Sequence, residues 1–116
     1  MTVNAIPVPT RASPSQTVSW VVSREGDGTV VTVEGELDLG SAAVFAAALA
    51  AVGAGSSDAI VDMAHVEAID ATALGALVCV HRLFEILGLA LTVRAPSRPV
   101  RRVLGVCQLE GLIRAM

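Results

Sequence analysis

The chain has no tyrosine and no lysine, one tryptophan (Trp20) and two phenylalanines (Phe45, Phe84). Aliphatic side chains must therefore do most of the packing. The shortage also removes the stacking platforms on which single-stranded nucleic acids are held. The two cysteines, Cys79 and Cys107, lie in apolar runs without zinc spacing or a C-x-x-C pattern. They read as buried free thiols of a reducing compartment. The amino terminus lacks the charged segment and apolar run of a signal peptide. No stretch reaches the roughly 18–20 apolar residues of a membrane span. Ala42–Ala54 is short and alanine-rich, and Leu74–Val80 ends at His81-Arg82. The expectation is a cytoplasmic chain with no membrane insertion.

What is present is a sequence of 116 residues, 53% apolar, with a formal net charge of −3. That length forms one domain and buries a core without disulfides or metals. Charge is unevenly spread. Glu25 to Asp70 holds nine acidic residues and no arginine, whereas Ala71 onward holds six arginines against Glu85 and Glu110. An acidic half argues against general nucleic-acid binding, which needs a dominant basic face. The asymmetry either steers a protein partner or is a solvated surface.

Residues 1–16 contain Pro7, Pro9 and Pro14 among few large apolar groups and read as a flexible tail, so the domain is expected at 17–116. Val18–Ser23 and Thr29–Glu34 read as a hairpin around Arg24–Gly28. Gly35–Leu39 breaks the second strand. Ser41 is the expected N-cap of a helix over Ala42–Val52, with Val44, Phe45, Leu49 and Val52 as its buried stripe and Gly53 and Gly55 at its end. Asp58–Met63 reads as a strand and Ala64–Ile69 as a connection. A second helix is expected over Ala71–Leu87, stopped by Gly88. Leu74, Leu77, Val78, His81 and Phe84 share one face, and an apolar opposite face suggests cover on both sides. Leu89–Arg94 reads as a strand. Ser97 and Pro99 open a helix to about Gly105, and Leu109–Ala115 adds a helical turn. The order β-β-α-β-α-β-α predicts a mixed four-stranded sheet packed with helices.

Within this frame Asp70-Ala71-Thr72 stands where a strand gives way to an apolar helix. Unpaired N–H groups and a partial positive charge make a helix start hospitable to anions. Thr72 has two readings, a phosphorylation switch or an ordinary helix-start threonine. Asp70 is an N-cap for Thr72 or Ala73, a partner contact, or both. Asp62 reads as structural. His65 and His81 have no acidic partners at metal-ligand spacing, so no metal is expected. No nucleophile–base set or phosphate-cradling glycine loop stands out, and no enzymatic activity or cofactor is expected.

Four segments, in order, resemble the STAS domain family, the anti-sigma factor antagonists of bacteria. Val33-Glu34-Gly35-Glu36-Leu37-Asp38 resembles the family's second strand and its Gly-x-Leu-Asp turn. Ile60-Val61-Asp62-Met63 resembles the central strand. Ile69-Asp70-Ala71-Thr72-Ala73-Leu74-Gly75 resembles the Ile-Asp-Ser-Ser-Gly-Leu-Gly signature, with Ala71 for the first serine and Ala73 for the glycine. Arg101-Arg102-Val103-Leu104 with Leu109-Glu110-Gly111-Leu112 resembles the last helix.

The resemblance implies a regulator that binds a serine/threonine-kinase-type anti-sigma factor. That kinase would phosphorylate Thr72, the second residue after the signature aspartate, and so switch binding off. A phosphatase would restore binding, and the kinase would bring ATP and Mg²⁺. Asp38, Asp70, Thr72, Ala73 and Leu74 are the implied partner-binding residues, although an Asx-type turn also accounts for Asp38. The alternative is an accessory subunit of a phospholipid-transport or other multiprotein complex. The oligomeric state is left open.

Overall fold

A computed structural model describes residues 8–11 and 18–107. Its elements run β1 (Val8–Arg11), β2 (Val18–Glu25), β3 (Gly28–Leu37), α1 (Leu39–Ala54), β4 (Ala59–Ile69), α2 (Ala71–Ile86), β5 (Leu91–Arg94) and α3 (Arg98–Val106). All four expected strands and three helices are present in the expected order. The strands lie in the spatial order β1-β2-β3-β4-β5. The pairs β1–β2 and β2–β3 are antiparallel, and β3–β4 and β4–β5 are parallel.

This topology follows from the connections. A two-residue loop, Gly26-Asp27, joins β2 to β3, and Gly26 supplies the positive φ (63°) that such a tight turn needs. Parallel neighbours need crossovers, which α1 and α2 provide. Right-handed crossovers between strands added in one direction put both helices on one face. On that face Val18, Trp20, Val31, Val33, Val61, Met63, Leu91 and Val93 meet Phe45 and Leu49 of α1, Leu74, Leu77 and Phe84 of α2, and Val100 and Leu104 of α3 in one core. The scarce aromatics are placed where they count. Trp20 and Phe45 meet edge to face at 5.4 Å, joining β2 to α1.

Several expectations are corrected. Val8–Arg11, inside the expected flexible tail, is the edge strand β1, a position that tolerates Pro9 because one side of an edge strand needs no ladder bonds. The rest of that tail, and the helical turn expected over Leu109–Ala115, lie outside the described residues. Gly35–Leu39 does not break the second strand, and Ala64–Ile69 is not a connection. Gly35–Leu37 and Ala64–Ile69 belong to strands that pair through register shifts at Thr32/Glu34 and Gly35/Glu36, and only Asp38 and Leu39 lie beyond β3. Asp62 therefore lies within a strand, where it accepts hydrogen bonds from Arg94 Nε (3.2 Å) and the Ala64 N–H (3.1 Å).

The N-cap of α1 is Asp38, with Ser41 as its partner one turn later. Val44 turns outward, because α1 needs only Phe45, Leu49 and their neighbours to cover the sheet. The outer face of α2 is open rather than covered. Leu83, Ile86 and Leu87 are exposed there, Ile86 at 82%. Cys79, on that face, and Cys107, at the end of α3, are exposed thiols, not buried ones. No helix among the described residues is long and apolar enough to cross a membrane.

Candidate functional site

The parallel pair β3–β4 ends with Leu37 opposite Ile69, and the Asp70 N–H donates to the Leu37 carbonyl at 3.1 Å. The next residues, Asp38 and Asp70, each open a helix. Two helix starts therefore emerge side by side from adjacent strands. Each start carries roughly half a positive charge on its unpaired N–H groups, and each is met by its own aspartate.

Asp38 Oδ1 accepts from the N–H groups of Gly40 (3.0 Å) and Ser41 (3.2 Å). The Asp38 N–H in turn donates to Ser41 Oγ at 3.1 Å, which completes a capping box. Asp70 uses both carboxylate oxygens. Oδ1 accepts from the Ala73 N–H of its own helix at 2.9 Å. Oδ2 accepts from the Leu39 N–H of the other helix at 3.0 Å. One carboxylate thus ties the start of α2 to the start of α1. Two full negative charges against two half-charges leave this end with roughly one net negative charge.

Thr72, at the second position of α2, is exposed. Leu39, the first residue of α1, is 73% exposed, a large apolar side chain left in water beside the tie. Ala73 and Leu74 are buried and join the core, so they set the position of the turn rather than its surface. Ala71 leaves Thr72 as the single hydroxyl of this first turn. Sequence reasoning missed Leu39 and the second bond of Asp70. The signal was available in two aspartates that each open a helix in consecutive β-α units.

The site is an open surface. Two cavities of the fold are lined elsewhere: one of about 360 Å³ by Glu25, Asp58 and Thr92 among others, and one of about 500 Å³ by Ser19, Glu34, Gly35, His65 and Glu67. His81 sits nine residues along α2 from Thr72, about 13 Å by helix rise, where its Nδ1 lies 3.9 Å from Glu85 Oε1. Among the described residues no three His, Cys, Asp or Glu side chains converge as metal ligands. What the arrangement offers chemically is an exposed threonine and an apolar side chain on a tied, negatively biased pair of helix starts.

Comparison with known proteins gives a consistent picture. No curated protein sequence matches the chain. The family model described as "Mlab, STAS domain" matches residues 20–114. An anti-sigma factor antagonist from Mycobacterium paratuberculosis is 26% identical, with a TM-score of 0.74 over 87% of this chain and 86% of that one. The anti-sigma factor antagonist SpoIIAA in its unphosphorylated form shares the fold at 18% identity, with a TM-score of 0.72 over 84% of this chain and 88% of that one. SpoIIAA of Bacillus in its phosphorylated form shares it at 19% identity, with a TM-score of 0.66 over 84% and 91%. The match across nearly the whole chain, on a fold that carries the signature turn at the paired helix starts, makes this chain a member of the STAS domain family.

Proposed function

We propose that the protein is an anti-sigma factor antagonist whose docking surface is the Asp38–Leu39 and Asp70–Thr72 end, switched off by phosphorylation of Thr72. The observation that carries this reading is the exposed Thr72 in the first turn of a helix whose capping carboxylate also holds the neighbouring helix. Supporting it, structural relatives of the same fold are anti-sigma factor antagonists, one of them in phosphorylated and unphosphorylated forms.

Binding comes first in the physical account. Leu39 is the apolar anchor, and its burial on a partner gains about 1.5–3 kcal/mol. Asp38 and Asp70 keep the helix starts rigid, so little ordering cost falls on docking. Ala73 and Leu74 lock the turn from beneath.

Phosphorylation then adds about −1.5 to −2 charge in a place already negative. A charge a few ångströms from another costs on the order of 1–4 kcal/mol at a protein surface. In a desolvated interface that cost weakens docking by about tenfold to a thousandfold. Release needs no refolding, because the caps on Ala73, Gly40 and Ser41 do not involve Thr72.

The kinase supplies ATP and Mg²⁺, and this chain supplies the hydroxyl. The test is co-purification of wild type, Thr72→Ala and Thr72→Asp with a kinase-type anti-sigma factor, together with intact mass after incubation with that kinase and ATP. Wild type and Thr72→Ala are expected to bind, Thr72→Asp to bind weakly, and one phosphate to appear on wild type alone. Equal binding by Thr72→Asp refutes the switch. Recovery of transporter ATPase subunits, with no phosphate on Thr72, replaces the reading with that of a transport accessory subunit.

A further inference from the structure

Several charges of this molecule are used internally. Arg94 donates from Nε to Asp62 at 3.2 Å and from Nη1 to Glu25 at 3.0 Å. Asp38, Asp58 and Asp70 accept backbone N–H groups. Helix α3 departs from this pattern. Arg98, Arg101 and Arg102 are exposed, and none has an ion pair or side-chain hydrogen bond among the described residues. Their spacing of three and four residues puts them on one side of the helix. Val100 and Leu104, on the other side, are fully buried.

The helix itself does not account for these arginines. They occupy its first half, where the dipole is positive and cations are disfavoured. No acidic residue lies in the first turn to balance them. The Ser97 side chain makes no cap bond to α3, and its hydroxyl donates to the Val66 carbonyl at 2.6 Å instead. Three like charges within five residues also repel one another. Their placement lowers the stability of α3, and no acidic partner among the described residues offsets it.

The Ser97 N–H donates to the Met63 carbonyl at 3.1 Å and its hydroxyl to Val66, so α3 starts against the second half of β4. Val66 precedes Asp70 by four residues, about 13 Å of strand. Helix α3 also packs beside α2, on the same face of the sheet. A standard interface covers about 800 Å² on each partner, a patch roughly 30 Å across. A patch of that width exceeds the roughly 13 Å of strand between the Asp70 turn and the start of α3.

We infer that Arg98, Arg101 and Arg102 form the electrostatic half of the docking surface and receive an acidic segment of the partner that docks at Thr72. This rests on the docking surface proposed above. The surface then has two signs, negative at Asp38 and Asp70 and positive along α3, which orients the partner before contact. Exposed charges of this kind govern the rate of association more than the lifetime of the complex.

The test uses the full chain and the triple variant Arg98→Glu/Arg101→Glu/Arg102→Glu, with Arg82→Glu as a control reversal on the exposed end of α2. Association with the kinase-type anti-sigma factor is timed at about 50 mM and about 300 mM NaCl. The triple variant is expected to associate at least about tenfold more slowly at low salt, with the gap closing at high salt and dissociation changing by less than about threefold. Equal association rates overturn the inference.

A second arm needs no partner. A hexaglutamate peptide, titrated into ¹⁵N-labelled protein, is expected to shift the amides of α3 in wild type and not in the triple variant. Shifts elsewhere, or none, overturn the inference. If no anti-sigma factor binds the wild type while the peptide maps to α3, the docking reading fails and the acidic-segment site stands. The free Arg98→Glu variant is expected to melt higher than wild type. A lower melting temperature shows a structural role and overturns the argument from helix stability.

Discussion

Asp70→Ala removes a carboxylate that accepts from two helices at once, from the Ala73 N–H at 2.9 Å and the Leu39 N–H at 3.0 Å. The first loss is an N-cap, worth about 0.5–2 kcal/mol. The second frees an exposed N–H that water can satisfy, so it costs only about 0.5–1 kcal/mol. Together they predict about 2 kcal/mol, or a fall in Tm of roughly 6–10 °C for a domain of this size. Urea unfolding, fitted with a common slope, measures the difference.

Asp70→Asn sharpens the reasoning. Asparagine keeps an acceptor for Ala73, but it turns an N–H₂ donor toward the Leu39 donor. Its cost is about 1 kcal/mol, from the second bond alone. Amide exchange at Leu39 is then expected to quicken in both variants, since both lose the bond between helices. An Asp70→Ala protein within about 0.5 kcal/mol of wild type, or an asparagine variant worse than the alanine one, refutes the two-helix tie.

Two further predictions concern the backbone. A Cβ at Gly53 meets Phe84 Cε1 at 3.0 Å and Cζ at 3.1 Å, and Phe84 is fully buried, so Gly53→Ala overpacks α1 against α2. It is expected to cost about 1 kcal/mol net of the helix-propensity gain. Gly75→Ala meets nothing within 4 Å and is expected to stabilise α2 by about 0.5–1 kcal/mol. Urea unfolding of the pair checks both signs at once. Ala95, at the end of β5, has φ of 51°, a left-handed backbone that penalises a Cβ. Ala95→Gly is expected to gain about 0.5 kcal/mol, after the extra freedom of the unfolded glycine is offset, and a fall in Tm contradicts it.

The element order and the place of the Asp70 turn were legible because each helix has a residue of capping type at its start and glycine or proline near its boundary. The later halves of β3 and β4 were not. Register shifts place Val66 and Ile69 in the core three residues apart, so the period-two alternation that marks a strand is lost there. Asp38 and Ser41 are both good caps, and only the geometry says that the aspartate caps and the serine completes the box.

The exposure of Cys79, Leu83 and Ile86 was hidden for a different reason. Apolar residues around a helix report that it can be covered, and not whether the fold has anything to cover it with. Leu39 was overlooked because a lone apolar residue beside a cap carries no periodic signal. The hydroxyl at Thr72 was legible as a candidate. Its setting, on two helices joined by one carboxylate, needed the contact between residues 31 apart in sequence.

The central claim is that negative charge on Thr72 alone switches docking off. The direct measurement is the affinity of stoichiometrically phosphorylated protein for its kinase-type anti-sigma factor, set beside unphosphorylated protein and Thr72→Ala, with phosphate at Thr72 verified by mass. The account predicts affinity at least about tenfold weaker for the phosphorylated form, full affinity for Thr72→Ala, and recovery after phosphatase treatment. Equal affinity with and without phosphate on Thr72, or modification at another hydroxyl, contradicts it.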